Sequence, residues 1–153
     1  MNILQLCSKV PFPPKDGGSI AMDILTQGLI KAGNKVDVLA INTPKHFTEI
    51  NSVDENYKKL TNYQLVFIDT DVKPLHAFFN LFTSTSYNVV RFYSKAFEAV
   101  LIECLQKNVY DIIQLETLWV APYLATIRKY SKAKVVLRSQ NIEFMIWERL
   151  ALD

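Results

Sequence analysis

The amino-acid sequence predicts an α/β protein with a Rossmann-like, doubly wound parallel sheet, in which helices cover both faces. Two observations support this prediction. Five short apolar runs alternate with segments whose apolar residues recur at helical spacing. The first strand, first helix and second strand also fit within about 40 residues, which is typical of a parallel βαβ unit.

The N-terminal half predicts three strands, over residues 2–7, 35–41 and 64–70. Between the first two, a Pro-rich loop ends in Gly17 and Gly18, and an apolar stripe from Ile20 to Ala32 then indicates a helix. Gly33 and Asn34 are typical of a left-handed helix C-terminus. The polar stretch 42–62 predicts a loop with one short surface helix.

The C-terminal half predicts strands over residues 111–116 and 134–139, and a helix that ends near Lys107. A further helix follows the fourth strand, where Pro122 is tolerated because it lies in the first turn. The chain is expected to be helical again from Ile142. Residues 75–93 form an irregular aromatic region around Arg91, which fits either core packing or an amphipathic lip that faces an acceptor or a membrane.

The composition limits the possible classes of protein. Of the 153 residues, 50% are hydrophobic and 21% are charged, which suits a packed domain and excludes a disordered chain. The net charge of +2 comes without a basic block, which argues against nucleic acid as a partner. Cys7 and Cys104 predict neither a disulfide nor a metal site. Without an apolar run of about 18 residues or a signal peptide, a cytoplasmic location is expected.

In such a sheet, ligands bind beyond the carboxyl ends of the strands. Gly17 and Gly18 stand there, just before the first helix, where a phosphate could approach the backbone and the positive end of the helix dipole. A turn without a ligand is an equally good interpretation. The spacing is not the GxGxxG dinucleotide fingerprint, which disfavours a dehydrogenase or epimerase.

The acidic and histidine residues of the other loops do not match a magnesium site or another metal site. Asp69 and Asp71 follow the third strand as in a receiver domain, but the first strand lacks the acidic pair that would hold magnesium there. Both are interpreted as solvated carboxylates. His46 and His76 have no ligand-like spacing and are interpreted as surface residues.

Polar or amphipathic residues cluster around the ends of the fourth and fifth predicted strands, and together they would line one cleft suited to a hydroxylated ligand. They are Glu116, Trp119, Arg138, Gln140, Asn141 and Glu143.

Four segments, in order, resemble family 4 glycosyltransferases of the GT-B fold. The first is ILQLCSKVPFPPKDGGSIAMDILTQGLIKAGNKVDVLAI, which matches strand, P-x-P-P-x-x-G-G, helix and strand. The others are YNVVRFYS, DIIQLETLWVAPYL and VVLRSQNIEFMIWERLA, which are similar to a bacterial branch of that family. The resemblance spans nearly the whole chain.

The resemblance implies that residues 1–153 are a single Rossmann-like domain, the N-terminal half of a two-domain enzyme whose C-terminal nucleotide-sugar domain lies beyond this chain. The whole enzyme would transfer a sugar from a nucleoside-diphosphate sugar to an acceptor hydroxyl, with retention and without a metal or other cofactor. Its product would belong to a cell-envelope polysaccharide or a glycolipid, made in the cytoplasm or at the inner face of the membrane through peripheral contact.

The resemblance also implies roles for individual residues. Gly17, Gly18 and Ser19 would bind the donor diphosphate. Glu116 is the candidate catalytic residue, at a position where relatives often have histidine. A glycan or lipid-linked acceptor would contact Asp16, Arg91, Trp119, Arg138, Gln140, Asn141 and Glu143. The alternative is a non-catalytic α/β module that binds a nucleotide or a glycan.

Overall fold

A computed structural model describes residues 1–80, 82–83, 86–139 and 148. It has one five-stranded sheet in the order β3-β2-β1-β4-β5, in which all neighbouring strands are parallel. The strands are β1 (Asn2–Cys7), β2 (Lys35–Asn42), β3 (Gln64–Phe67), β4 (Ile112–Glu116) and β5 (Lys134–Arg138). The predicted doubly wound α/β fold is confirmed.

The helices are α1 (Gly17–Lys31), α2 (Glu55–Leu60), α3 (Pro74–Asn80), α4 (Tyr87–Val90), α5 (Lys95–Lys107) and α6 (Leu124–Tyr130). Short 3₁₀ helices cover Pro44–His46, Ile50–Ser52 and Leu118–Tyr123. Pro122 therefore lies in the 3₁₀ turn that leads into α6, where its missing N–H is easily tolerated.

Alternate residues of each strand supply the cores on the two faces of the sheet. On β1, Leu4 and Leu6 join the core formed with α5 and α6, while Ile3 and Cys7 join the one beneath α1. Phe97 of α5 is fully buried in the first core. Both faces are therefore covered, and the strands read as nearly continuous apolar runs, as expected for a parallel sheet.

Some boundaries differ from the predicted ones. The third strand ends at Phe67 rather than at residue 70: the Ile68 amide still donates to Asn42 O at 3.1 Å, but the polar residues after it make no strand pairing. The aromatic region holds the short helices α3 and α4. Phe78, Phe79 and Phe82 are 56%, 67% and 80% exposed, so the core interpretation is wrong for these three rings.

The helix predicted from Ile142 onward lies outside the described residues, apart from Glu148, which is helical and exposed. None of the helices that the described residues form is long and apolar enough to cross a bilayer.

Candidate functional site

The candidate site is a cleft at the carboxyl ends of the strands. The chain runs from β1 outward to β2 and β3 and then returns to the other side of β1 with β4, so the direction of winding changes between β1 and β4. Crevices at such a switch point are the usual ligand sites of open α/β sheets. The cleft has a volume of about 380 Å³. Its lining residues are Ser8, Lys9, Thr43, Lys45, His46, Thr70, Asp71, Val72, Arg91, Phe92, Thr117 and Trp119.

The first turn of α1 is held by a capping box. The Asp16 carboxylate accepts a hydrogen bond from the Ser19 amide at 2.8 Å, and the Ser19 hydroxyl accepts one from the Asp16 amide at 2.9 Å. Ser19 Oγ also accepts from the Lys15 amide at 2.8 Å. The polar atoms of Ser19 are therefore used by the cap, and the predicted contact of Ser19 with a diphosphate stays a prediction.

The amides of Gly17 and Gly18 have no acceptor among the described residues. They are the first two residues of the fifteen-residue helix α1, where N–H groups point outward at the positive end of the dipole. A Cβ on Gly17 would meet no atom within 4 Å, and its backbone has no left-handed conformation. Neither close packing nor backbone strain therefore requires a glycine at position 17. The absence of a side chain there leaves the backbone amide accessible to a ligand.

A charged group joins the loop after β1 to the loop after β2. Lys9 Nζ donates to both carboxylate oxygens of Asp16, at 2.7 and 2.8 Å, and His46 Nδ1 lies 3.5 Å from Asp16 Oδ2. Burial raises the pKa of the Asp16 carboxyl, but the hydrogen bonds from Lys9 and the Ser19 amide outweigh it and hold that pKa well below its usual range.

The pKa of His46 is lowered as well, but for an imidazole this favours the neutral form. Burial lowers the pKa of its imidazole, and the charge of Lys9 lowers it further against the opposing effect of Asp16. Neutral imidazole is therefore favoured at pH 7, with one ring nitrogen able to accept a proton. The interpretation of His46 as a surface residue did not foresee that its half-buried side chain lines the cleft beside Asp16.

The candidate catalytic residue Glu116 points away from the cleft, toward α1. Its side chain is fully buried, and Arg138 Nη1 donates to its two carboxylate oxygens at 3.0 and 3.2 Å. Gln114 donates to the same carboxylate, and Arg138 Nη1 also reaches the carbonyl of Ala21 in α1 at 3.3 Å. Glu116 thus balances a guanidinium that ties β5 to α1, and its predicted catalytic role stays a prediction.

Thr117, directly after β4, has a strained backbone. Its φ of 78° and ψ of 165° fall in a region that only glycine adopts easily. The strain is held in place by two hydrogen bonds: its amide donates to Arg138 O at 3.0 Å and its hydroxyl donates to Ser8 Oγ at 3.0 Å. Strain of this kind concentrates at functional sites, and here it sets the Thr117 side chain in the wall of the cleft.

One wall of the cleft is aromatic. The rings of Phe92 and Trp119 stack with centroids 5.3 Å apart and planes 23° from parallel. The guanidinium of Arg91 lies 5.4 Å from the Phe92 centroid. Among the described residues, Arg91 Nε is buried without a hydrogen-bond partner and no carboxylate pairs with the guanidinium, which contacts the ring face instead.

The opposite wall is the loop after β2. Asn42 fixes this loop, since its side chain donates to Thr48 O at 2.8 Å and accepts from the Thr48 amide at 3.0 Å. Thr43 is 4% exposed, and its hydroxyl has no partner. Lys45 is exposed and makes no ion pair among the described residues.

The structure thus brings Arg91 and Trp119 together in the cleft and sets Asp16 beside it, while Arg138 pairs with Glu116 under α1. The predicted acceptor residues Gln140, Asn141 and Glu143 lie outside the described residues.

Sequence reasoning missed Lys9, Thr43, Lys45 and His46. Their position directly after β1 and β2 was the signal that could have identified them.

Comparisons of the chain with protein-family models, with curated proteins and with solved structures find no match. The site must therefore be interpreted from its own chemistry. Among the described residues, no cluster of His, Cys, Asp and Glu side chains could hold a metal ion. The cleft offers cations, hydroxyls and an aromatic wall, which suit a ligand with an apolar ring face, hydroxyl groups and negative charge.

Proposed function

We propose that the chain is the N-terminal, acceptor-side domain of a GT-B glycosyltransferase similar to family 4. The complete enzyme would transfer a sugar from a nucleoside-diphosphate sugar to an acceptor hydroxyl. The observation that carries this proposal is the juxtaposition of the α1 N-terminus with the cleft, since the cap residue Asp16 contacts the cleft residues Lys9 and His46. The Gly17 and Gly18 amides there lack acceptors among the described residues. A helix N-terminus stabilises the charge that develops on a leaving diphosphate.

The two halves of the reaction would use different parts of this surface. The donor diphosphate would lie against Gly17 and Gly18, with its nucleotide held by a second domain in cis. The acceptor would occupy the cleft, with a sugar ring against Phe92 and Trp119, because aromatic faces suit the apolar face of a sugar. Retention and independence from metals are part of the same proposal.

A location at the inner face of the membrane is proposed together with this function. Phe78, Phe79 and Phe82 support it, because large exposed rings on one short segment are typical of surfaces that enter the lipid interface. A lipid-linked acceptor for polysaccharide or glycolipid synthesis would then be reached by peripheral contact.

The second candidate function is a non-catalytic module that binds a nucleotide or a glycan. The observation that favours it is the position of Glu116, whose carboxylate is buried in an ion pair and shielded from the cleft. The reading frame beyond Asp153 distinguishes the two. A second domain of about 150 to 200 residues with paired glutamates favours the transferase, and a stop codon soon after favours the module.

The decisive experiment measures sugar transfer by the complete gene product with Gly17→Val or Gly18→Val. We expect a loss of about 100-fold or more, because the added branched side chain keeps the diphosphate from the backbone amides. Gly28→Val is the matched control, since Gly28 lies in the same helix, is exposed and has open space at its Cβ. Normal turnover by both test variants, with native thermal unfolding, would rule out the diphosphate site.

A further inference from the structure

Two cations in the cleft have no carboxylate partner. Lys9 is neutralised by Asp16, but Lys45 and Arg91 make no ion pair among the described residues. Arg91 Nε is also buried without an acceptor. A buried donor on a charged group costs free energy unless a ligand or a neighbour satisfies it, so the Arg91 guanidinium is poised for an oxyanion.

A hydroxyl in the same cleft is orphaned as well. Thr43 is more than nine-tenths buried, lines the cleft, and has no hydrogen-bond partner for Oγ1 among the described residues. Asn42 and Thr48 hold the loop around it through paired hydrogen bonds, so the Thr43 backbone is fixed at the cleft while the hydroxyl itself is buried. An anion in the cleft would meet Lys45 and Arg91, and rotation of the Thr43 side chain would add this hydroxyl as a further donor.

The remaining groups indicate what the anion is attached to. The stacked pair of Phe92 and Trp119 offers an apolar face beside Arg91. Asp71, the carboxylate that lines the cleft, is exposed and can accept hydrogen bonds from hydroxyl groups. The volume of about 380 Å³ is within the range of small-molecule sites.

We propose that the cleft binds an acceptor sugar that itself carries an anionic group, a phosphate or a carboxylate. The ring lies against Phe92 and Trp119, and the anion lies at Lys45, Arg91 and the Thr43 hydroxyl. This inference rests on the proposed transferase function, since it specifies the chemical class of the acceptor. It is separate from the donor diphosphate, because Gly17 and Gly18 are not part of the cleft lining.

The test measures ligand binding to the 153-residue chain by calorimetry and by the indole N–H resonance of Trp119, assigned with Trp119→Phe. The probes are hexose 6-phosphates, hexuronates and neutral methyl hexosides in the gluco, galacto and manno configurations, together with inorganic phosphate. We expect at least one anionic sugar to bind about 10-fold or more tightly than its neutral counterpart and than inorganic phosphate, with affinity that falls as salt rises. Comparison of the phosphates with the uronates identifies the anion.

Three variants locate the anion. Arg91→Gln and Lys45→Gln should each weaken binding of the anionic sugar by about 10- to 100-fold, as expected for loss of a charge-assisted hydrogen bond. Thr43→Val should weaken it less. Lys59→Gln, a charge removed from an exposed position on α2, should leave binding unchanged.

Each other outcome overturns the inference in a distinct way. Equal affinity for neutral and anionic sugars, unchanged by Arg91→Gln, would contradict the anionic acceptor. It would remain compatible with the proposed function, with a neutral acceptor. Binding of inorganic phosphate as tight as that of any sugar phosphate indicates a simple anion site. No binding by any sugar contradicts both the inference and the proposed acceptor role of this cleft.

Discussion

Among the described residues other than glycine, Thr117 has the largest positive φ. A φ of 78° is energetically unfavourable for a β-branched residue. Thr117 adopts it in the turn between the end of β4 and the 3₁₀ helix. No run of apolar residues or turn signal in the sequence marks this position. Two tertiary hydrogen bonds stabilise this conformation, one with Ser8 and one with Arg138, and both partners lie far from Thr117 along the chain.

The prediction for Thr117 concerns the free energy of unfolding. Thr117→Gly should be more stable than Thr117→Ala by about 1 kcal/mol or more, because glycine adopts this conformation without strain while alanine does not. At Thr43, where φ is −92°, the order should reverse by about 0.5–1 kcal/mol. Chemical denaturation of the four variants checks this, and the same order at both positions would contradict the strained backbone.

For His46, we predict that an anion in the cleft raises the imidazole pKa. The free side chain faces Lys9, Lys15, Lys45 and Asp16, and burial together with Lys9 favours its neutral form. A bound anion favours the protonated form, so binding takes up a proton and affinity increases as pH falls through the pKa of His46 in the complex. A hexuronate is the suitable probe, because its carboxylate stays ionised across this range.

The measurement is the ring-proton shift of His46 against pH, with and without ligand, with His46→Gln as the control for the affinity profile. An unchanged pKa with saturating ligand would place the anion away from His46.

The pair Glu116–Arg138 calls for a double-mutant cycle. Glu116→Gln should lower the free energy of unfolding by about 3 kcal/mol, because it leaves the guanidinium without its buried counter-ion. Arg138→Gln should lower the free energy of unfolding less in the Glu116→Gln variant than in the native chain. The difference, which is the coupling energy of the pair, should be about 1–3 kcal/mol. Additive effects would mean that the ion pair contributes little.

The same variants address the candidate catalytic role. In the complete gene product, equal losses of transfer by Glu116→Gln and Arg138→Gln would match a positioning pair. A much larger loss for Glu116→Gln alone would match the predicted catalytic role.

At the scale of elements, the first turn of α1 links stability to the site. Asp16 caps the helix and holds Lys9, whereas Asp54 caps α2 by accepting from the Tyr57 amide and is remote from the cleft. Aspartate is a preferred N-cap residue, and both positions come directly before a helix. Asp16 also holds Lys9 in the wall of the cleft. This contact depends on the path of the Pro-rich loop, which the conformational preferences of the individual residues do not determine.

We predict that Asp16→Ala and Asp54→Ala each lower the free energy of unfolding by about 1 kcal/mol. Only Asp16→Ala should alter anion binding in the cleft, because it releases Lys9.

The pKa of Asp16 is lowered in the folded chain, so the contribution of its charge to stability is present above about pH 4 and is lost as pH falls toward the pKa of the folded state. The stability difference between native chain and Asp16→Ala should therefore shrink below about pH 4. Equal changes in binding for both variants would contradict the link between cap and site.

At the scale of the whole molecule, folding of the sheet and the proposed reaction depend on different parts of the protein. Each face of the sheet packs on its own buried core, and both cores are formed by residues of this chain. The proposed reaction requires a nucleotide-sugar domain in addition. We therefore predict that the 153-residue chain unfolds cooperatively in denaturant but transfers no sugar from any nucleotide-sugar donor. Release of diphosphate by this chain alone, above a Gly17→Val background, would contradict the two-domain proposal.

The sequence by itself determined the order of the five strands and of the helices α1, α5 and α6, because apolar periodicity acts over a few neighbouring positions, but it did not indicate α3 and α4. It also determined that Gly17, Gly18 and Trp119 lie at the carboxyl edge of the sheet, since parallel topology sends every strand end to one side. Only the tertiary structure decided which way each edge residue faces. It turned Glu116 under α1 and His46 into the cleft, since those orientations follow from strand register and loop packing between segments distant in the chain.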